Sequence, residues 1–510
     1  MTTEATPITA SMLYDLVTCP HRVTMDLYGD AQKRDEINPF VKLLWEKGTL
    51  YEEAVINGLK LPFLNLRPLA GDEKAAATRK AMADGVPLIY NGRIEVDGLL
   101  GDPDLLRKEG TGYAPIDIKS GSGEEGSDEE DDGKPKKTYA VQLSLYVDIL
   151  ERLDLSAGRT AYIWDVHGEE VPYRLNEPRT KTGKETLWQE YQAYLADARG
   201  IIARAAETLP ACASVCKLCH WYSSCLTAAK TADDLTLIPE LGRAARNAMM
   251  NEIPTVRALA ECNPEVYFDG KKTRFPRVGP DTLQKFHRRA KLLAGLDLGP
   301  YLKEPIILPG HDLELFFDIE VDTMRVRCYL HGFIERRGRD NTTELFVPFF
   351  MDGISEEAEA KSFADAWQYI QSKQPCAIYY YSKYERTIYR KLQAKYPHVC
   401  SSQDIENMFN PATAIDLYFD VVKKKTDWPT NDQSIKTLAK FLGFGWRDTH
   451  PSGAASIQWF DEWIKLGDPK MKQRILDYNE DDCRATRWLL DGIKELSAFP
   501  EKTKDFKKVG

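Results

Sequence analysis

The sequence predicts an α/β protein of several domains, and three observations carry that expectation. The chain has 510 residues, too many for one ordinary core, so two to four domains are expected. Hydrophobic residues make up 43%, enough to fill such cores, at a mean hydropathy of -0.44 that fits a protein in water. From Leu313 onward, strand-like LELFFDIEV, VRCYLHGFIERR and ELFVPFFM precede helical stretches and the strand-like CAIYYYS, which is an α/β arrangement.

Several classes are set aside by composition. No apolar run reaches roughly 18 residues, so no transmembrane helix is expected. The segment MTTEATPITASM has no basic stretch followed by an apolar one, so no signal peptide is expected. The ten cysteines then read as thiols or metal ligands rather than disulfides, and a cytoplasmic protein is expected. The formal charge of -10 argues against a general polyanion binder, but that charge is unevenly spread.

The first domain is expected over 1–232. Cys19 sits in LVTCPHR, and Cys216, Cys219 and Cys225 sit in VCKLCHWYSSC. Soft thiolates split this way suggest a clasp that ties the two ends of one domain around a metal centre. Closing so long a loop costs entropy that grows only slowly with length, and thiolate–metal bonds offset it. Between the cysteines lie three short signals. Asp102 and Asp104 in GDPD precede apolar Leu105 and Leu106. Asp117 and Lys119 in PIDIKSG are two apart on a predicted strand, hence on one face. Gln142 and Tyr146 are four apart, hence on one face of a predicted helix. Two carboxylates and a lysine on one face suit a magnesium or manganese site, with the lysine stabilising charge on a phosphate.

In that order, and bracketed by cysteines, these signals resemble the RecB-like branch of the PD-(D/E)XK nucleases, specifically its iron–sulfur members, over roughly 8–230. The resemblance implies a restriction-endonuclease-like core. It makes Asp104 and Asp117 metal ligands, Lys119 the catalytic lysine, and Gln142 and Tyr146 a DNA-contacting pair. Relatives often carry an upstream histidine in a G-x-x-H-E context. Here the chain reads Gly48-Thr-Leu-Tyr51-Glu52, and Glu52 is the candidate ligand in its place. The C-x2-C-x5-C spacing with a distant upstream cysteine implies a [4Fe–4S] cluster on Cys19, Cys216, Cys219 and Cys225, with zinc as the alternative occupant.

Within this domain, GSGEEGSDEEDDGKPKK holds seven acids, three lysines and no large apolar residue. The stretch 121–138 is therefore expected as a solvated, mobile loop, an inserted segment in the plain reading; the alternative is a gate, whose acids would compete with nucleic acid for the groove.

A small helical module is expected over 233–300. Thr236 to Lys291 carries eleven Lys/Arg against six Asp/Glu, a net of +5 in an acidic chain. IPELGRAARNAM and FPRVGPDTLQKFHRRA each place a glycine before a basic amphipathic stretch. They resemble helix–hairpin–helix units, in which backbone N–H groups meet a phosphate at a helix N-terminus. Gly242 and Gly279 would be the turn glycines, and Arg243, Arg246, Arg277, Lys285, Arg288 and Arg289 would supply charge. A helical spacer with an ordinary charged face is the alternative.

The last domain is expected over 301–510. Asp318 and Glu320 end an apolar strand, Glu385 lies at a strand–helix junction, and Tyr478 and Asp482 are four apart on a probable helix, in DYNEDDCRAT. Acids converging from separate elements repel one another unless cations sit between them, which is the logic of a two-metal phosphodiesterase site. The ordered set resembles the DEDD exonucleases of the RNase H-like fold over roughly 305–495. It makes Asp318, Glu320 and Asp482 metal ligands and Tyr478 the group that orients the attacking water. Relatives usually have Asp where this chain has Glu385. The whole order resembles a bacterial and archaeal family of predicted RecB-like nucleases.

The expectation is a metal-dependent nuclease, using Mg2+ or Mn2+, with two phosphodiesterase sites. Single-stranded DNA or DNA ends are its expected substrates, and RNA stays open. Repair, recombination and defence are all compatible settings. Two rivals stand beside it: cleavage by the first site alone, or a DNA-binding scaffold without catalysis.

Overall fold

The computed structural model describes residues 6–126, 133–296, 299–449 and 451–498. The chain divides into two compact units, Met1–Pro210 with Ser214–Ser224, and Ala211–Ala213 with Cys225–Gly510. The segments 233–300 and 301–510 share the second unit, so the structure draws one boundary where the sequence led us to expect two. Among the described residues no helix is long and apolar enough to cross a membrane.

The first unit is built on a six-stranded sheet. Its strands are β1 (Leu64–Asn65), β2 (Leu88–Tyr90), β3 (Leu105–Glu109), β4 (Gly112–Ile118), β5 (Thr160–Trp164) and β6 (Glu170–Arg174), and they are neighbours in that sequence. β3 and β4 form an antiparallel hairpin, and β5 runs parallel to β4. Every residue of β4 is buried. A strand covered on both faces reads as an almost unbroken apolar run, and Asp117 is the exception. The helices α1 (Ala10–Thr18) and α2 (Pro39–Gly58) start from side-chain caps: Thr9 accepts from the Met12 amide and Asn38 from the Phe40 amide. Helix α3 (Lys137–Arg152) lies on β4 and against α1, and it is buried without a break from Leu143 to Leu150. The buried carboxylate within that run, Asp148, is satisfied by the Tyr191 hydroxyl at 2.7 Å and by Arg152 at 2.8 Å.

The acidic stretch is more ordered at its base than its composition led us to expect. Glu124–Glu125 pairs antiparallel with Lys134–Pro135. The Tyr173 hydroxyl donates to the Gly123 carbonyl at 2.6 Å and accepts from the Lys136 amide at 2.9 Å. Backbone pairing and one buried phenol thus hold the two ends together. Residues 127–132, with most of the acids, lie outside the described residues.

In the second unit, helices α4 (Arg243–Met249) and α5 (Pro280–Leu293) begin at Gly242 and Gly279, which are their N-caps. The sheet has five strands: β7 (Leu313–Asp322), β8 (Arg327–Arg337), β9 (Asp340–Phe350), β10 (Ala377–Tyr380) and β11 (Ala414–Asp416). Their spatial order is β9-β8-β7-β10-β11. The first three form an antiparallel meander, and β10 and β11 join it in parallel. Helix α6 (Tyr384–Lys395) follows β10. Helix α7 (Ile435–Phe441) is capped by Ser434, which accepts from the Thr437 amide. The long helix α8 (Pro469–Lys494) crosses β7 and β8 and packs on α7.

The basic module corrects one expectation. Arg289 is 0% exposed; its Nε lies 3.0 Å from Asp427 Oδ1, and its Nη1 donates to the Pro239 carbonyl at 2.9 Å. Arg246 is also buried and pairs with Asp234 at 2.6 Å. Lys285 meets Glu240 at 2.7 Å and Arg288 meets Asp427 at 3.4 Å. Arg246 and Arg289, expected to face nucleic acid, are neutralised inside the unit, while Lys285 and Arg288 are ion-paired but half-exposed. Counting charge along 236–291 missed the pairing of Arg289 and Arg288 because Asp427 comes from far downstream. Arg277 is exposed and Arg243 half-buried.

Candidate active sites

In the first unit the chemistry gathers at the end of β4. Asp117 is its last but one residue and Lys119 follows it; the Lys119 amide donates to the Trp164 carbonyl at 2.8 Å, which extends the pairing with β5. Lys119 Nζ stands 2.9 Å from Asp117 Oδ2. Asp104, just before β3, accepts from the Ile118 amide at 2.6 Å, so the backbone of β4 holds it beside Asp117. Burial, and then the charge of Asp117, push the Asp104 carboxyl well above the usual carboxylate range, with Glu52 adding to the rise and Lys119 opposing it. Burial alone would lower the Lys119 ammonium, but Asp117 and Asp104 hold it above its ordinary value. Lys119 is therefore a charged group fixed beside two acids.

Helix α2 sends Tyr51 and Glu52 in different directions. Tyr51 turns away and donates to the Asp165 carbonyl. Glu52 accepts from the Tyr90 hydroxyl at 2.8 Å and lies within electrostatic reach of Asp104. The structure thus brings Glu52, Asp104, Asp117 and Lys119 together.

Gln142 and Tyr146 face the same region from α3. Gln142 Oε1 is buried without a hydrogen-bond partner. Tyr146 is only 4% exposed, and the charges of Asp117 and Asp104 reach it. A Cβ on Gly101 would lie 2.5 Å from Tyr146 Cδ1. The tyrosine ring therefore packs the GDPD turn, and its burial does not support the expected DNA contact.

Cys19 joins two helices, as the last cap of α1 and the first of Pro20–Tyr28. Burial raises the Cys219 thiol, and the charges of Cys19 and Cys216 act in the same direction, against the Trp221 amide and Arg22. Cys19 and Cys216 are thus within electrostatic reach of Cys219. Cys225 lies on the helix Tyr222–Thr231.

The second unit holds the tighter cluster. Asp318, Glu320 and Asp482 each offer an oxygen, and these oxygens all lie within 4.8 Å of one another. β7 supplies the first two and α8 the third. Burial first, then Asp482 and Glu320, push the Asp318 carboxyl well up; burial and Asp482 push Glu320 to about 8. Three carboxylates so close, Asp318 half-buried and Glu320 and Asp482 buried, are a hard-oxygen donor set that fits Mg2+ or Mn2+. Glu385, in the first turn of α6, is buried and accepts from Ser382 Oγ at 3.3 Å. Its charge reaches Asp318, but its oxygens are not part of the group of three.

Each of the three carboxylates is also held by a donor the sequence reading did not name. Asn479 Nδ2 donates to Asp318 Oδ2 at 2.7 Å, and Trp446 Nε1 to Asp482 Oδ1 at 2.6 Å. The Tyr329 hydroxyl is 3.4 Å from Glu320 Oε2 and 2.7 Å from Ser456 Oγ. Such partners fix the rotamers of ligands. Lys436, on α7, donates to the Tyr478 hydroxyl at 2.6 Å and lies 3.7 Å from Asp482 Oδ2. Asn479 had a legible signal, since it is three residues before Asp482 on one helix. Lys436 and Trp446 had none, because only the fold brings them there.

Residues 19–226 match the family model of the PD-(D/E)XK nuclease superfamily, and residues 315–493 match that of the RNase_H superfamily. No curated protein matches the chain. The chain therefore carries one domain from each superfamily, and both superfamilies support a nuclease, a hydrolase acting on nucleic acid.

Proposed function

We propose that this protein is a metal-dependent DNA nuclease with two phosphodiester-hydrolysing sites, one in each unit, acting on single-stranded DNA or DNA ends. The observation that carries the reading is the convergence of Asp318, Glu320 and Asp482 on one point, with the Asp104, Asp117 and Lys119 grouping as its counterpart in the first unit. Acids buried this close are costly to keep without a cation between them.

A bound Mg2+ or Mn2+ would supply a Lewis acid and lower the pKa of water. In the first site Glu52, Asp104 and Asp117 are the candidate ligands. There the Lys119 ammonium, fixed by Asp117, offsets negative charge developing on the phosphate. In the second site Asp318, Glu320 and Asp482 are the ligands, and Tyr478 offers a hydroxyl whose orientation Lys436 sets. A [4Fe–4S] cluster on the four cysteines belongs to this reading as a structural element. Its support is the spacing, together with the electrostatic reach of Cys19 and Cys216 to Cys219.

One observation favours a second reading, in which only the first site cleaves and the RNase H-like domain is a binding platform: Glu385 stays out of the carboxylate group. The test is cleavage of end-labelled single- and double-stranded DNA, and of matched RNA, by anaerobically purified wild type, Lys119→Ala, Asp318→Ala and the double variant. Distinct losses from the single variants and an inert double variant support two sites. Complete loss from Lys119→Ala alone selects the platform reading. Wild type inert on DNA and RNA sinks both.

A further inference from the structure

The second site has an ammonium where charge balance would call for a second metal ion. Lys436 Nζ is 3.7 Å from Asp482 Oδ2, 2.6 Å from the Tyr478 hydroxyl and 4.7 Å from the centre of the Tyr478 ring. Its charge also reaches Asp318 and Glu320. The side chain is 27% exposed, so it borders the cluster without being sealed from solvent. Its stem is not free to wander. Ser434 caps α7, Leu438 and Ala439 are buried beside it, and α7 packs on α8, the helix that carries Tyr478 and Asp482.

The acids count in the same direction. Three carboxylates converge, while Glu385 is drawn back to Ser382. One divalent cation and one ammonium cancel three negative charges. A second divalent cation would lack its fourth carboxylate and would sit against Lys436, where like charges repel.

We propose that the second site holds a single divalent cation, and that Lys436 supplies the other positive charge, against a non-bridging oxygen of the scissile phosphate. This rests on reading the site as a metal-dependent phosphodiesterase. The reaction itself is ordinary hydrolysis. A water oxygen bonds to phosphorus, and the bond from phosphorus to the leaving oxygen breaks, its electron pair going to that oxygen. One water proton ends on the leaving oxygen and the other on the new phosphate monoester or in solvent. Lys436 keeps its own protons and contributes charge and position.

The test counts metal ions. In the full-length chain carrying Asp104→Asn and Asp117→Asn, bound Mn2+ is measured from the spectrum of the free ion, and cleavage is followed against Mn2+ concentration. One Mn2+ per chain and a Hill slope of one are expected. Lys436→Met should keep that Mn2+ with little change in affinity or Tm and lower kcat about 100-fold, with KM moving less, while Lys436→Arg should recover a large part of kcat. Two Mn2+ per chain with Lys436 in place, or an unchanged kcat in Lys436→Met, would overturn the proposal and leave the phosphodiesterase reading standing. No bound Mn2+ and no cleavage would overturn both.

Discussion

Asn479 and Gly332 occupy one space between them: a Cβ on Gly332 would lie 1.6 Å from Asn479 Oδ1. Gly332 faces Asp318 across the β7–β8 ladder, and Asn479 Nδ2 donates to Asp318 Oδ2 at 2.7 Å. The bare position on β8 is what lets the amide reach the carboxylate. Gly332→Ala should cost at least about 1–3 kcal/mol from overpacking and abolish second-site cleavage. Asn479→Ala should unfold less easily than Gly332→Ala but weaken Mn2+ binding about 10–100-fold. Denaturant unfolding and Mn2+ titration of the two variants check this, and unaltered Mn2+ affinity in Asn479→Ala would remove the orienting role.

What could be read from sequence followed the distance over which residues act. The elements carrying Asp117, Lys119, Asp318, Glu320 and Asp482 were legible because period-2 and period-4 patterns are local. Glu52 could be named because it adjoins the position where relatives carry histidine. The partners Trp446, Lys436 and Asp427 were not legible, since each meets its target only through the tertiary fold. For the same reason the net charge of 236–291 misled: Arg289 finds Asp427 more than a hundred residues away. Burial, too, escaped the helical wheel, so that Tyr146 was expected to face DNA when it faces Gly101.

The contact between Tyr146 and Gly101 gives a prediction for the first site. A Cβ on Gly101 would meet Tyr146 Cδ1 at 2.5 Å and Cε1 at 2.8 Å, and the GDPD turn that begins there carries Asp104. Gly101→Ala should therefore displace Asp104 and remove first-site cleavage while second-site products persist. Tyr146→Phe keeps the ring and should leave KM for DNA nearly unchanged. A several-fold rise in KM for Tyr146→Phe would restore the hydroxyl as a DNA contact.

The buried Arg289–Asp427 pair yields a stability prediction. Both side chains are 0% exposed, and without Arg289 the buried Asp427 would keep only the looser pairings with Arg288 at 3.4 Å and Lys303 at 3.8 Å. Arg289→Met should cost about 1.5–3 kcal/mol, with no change in the salt dependence of DNA binding per folded molecule. A flatter salt dependence would return Arg289 to the phosphate-contacting set.

Glu240 reports on the same network through pH. Burial pushes its carboxyl up, but the hydrogen bond from Lys285 and the charge of Arg289 outweigh it and bring it to about 2. A carboxyl depressed in the folded state adds stability that is present above its ordinary value of 4.5 and is lost as pH falls through about 2. Glu240→Gln should flatten that part of the acid-unfolding curve. An identical acid limb in the variant would show that Glu240 carries none of it.

The metal cluster should impose the opposite slope. Burial and the charge of Asp482 raise Glu320 from 4.5 to about 8, and Asp318 moves the same way. An acid raised in the folded state leaves stability intact below its ordinary value and erodes it as pH rises through about 8. In EDTA the second unit should therefore lose stability between roughly pH 5 and 8. Mn2+ binds the ionised form and should reverse the loss. At about one hundred times its dissociation constant it adds about 2.7 kcal/mol, roughly 4–5 °C for a unit of this size. That gain should be larger at pH 8 than at pH 6, where protons compete for the same oxygens. Asp318→Asn removes one repelling charge. In EDTA at pH 8 it should match or exceed wild type in Tm, and it should respond far less to Mn2+. Thermal melts of both proteins at the two pH values, with EDTA and with Mn2+, decide the matter. A Mn2+ shift in wild type that is the same at pH 6 and pH 8 would mean that the buried acids do not hold the ion.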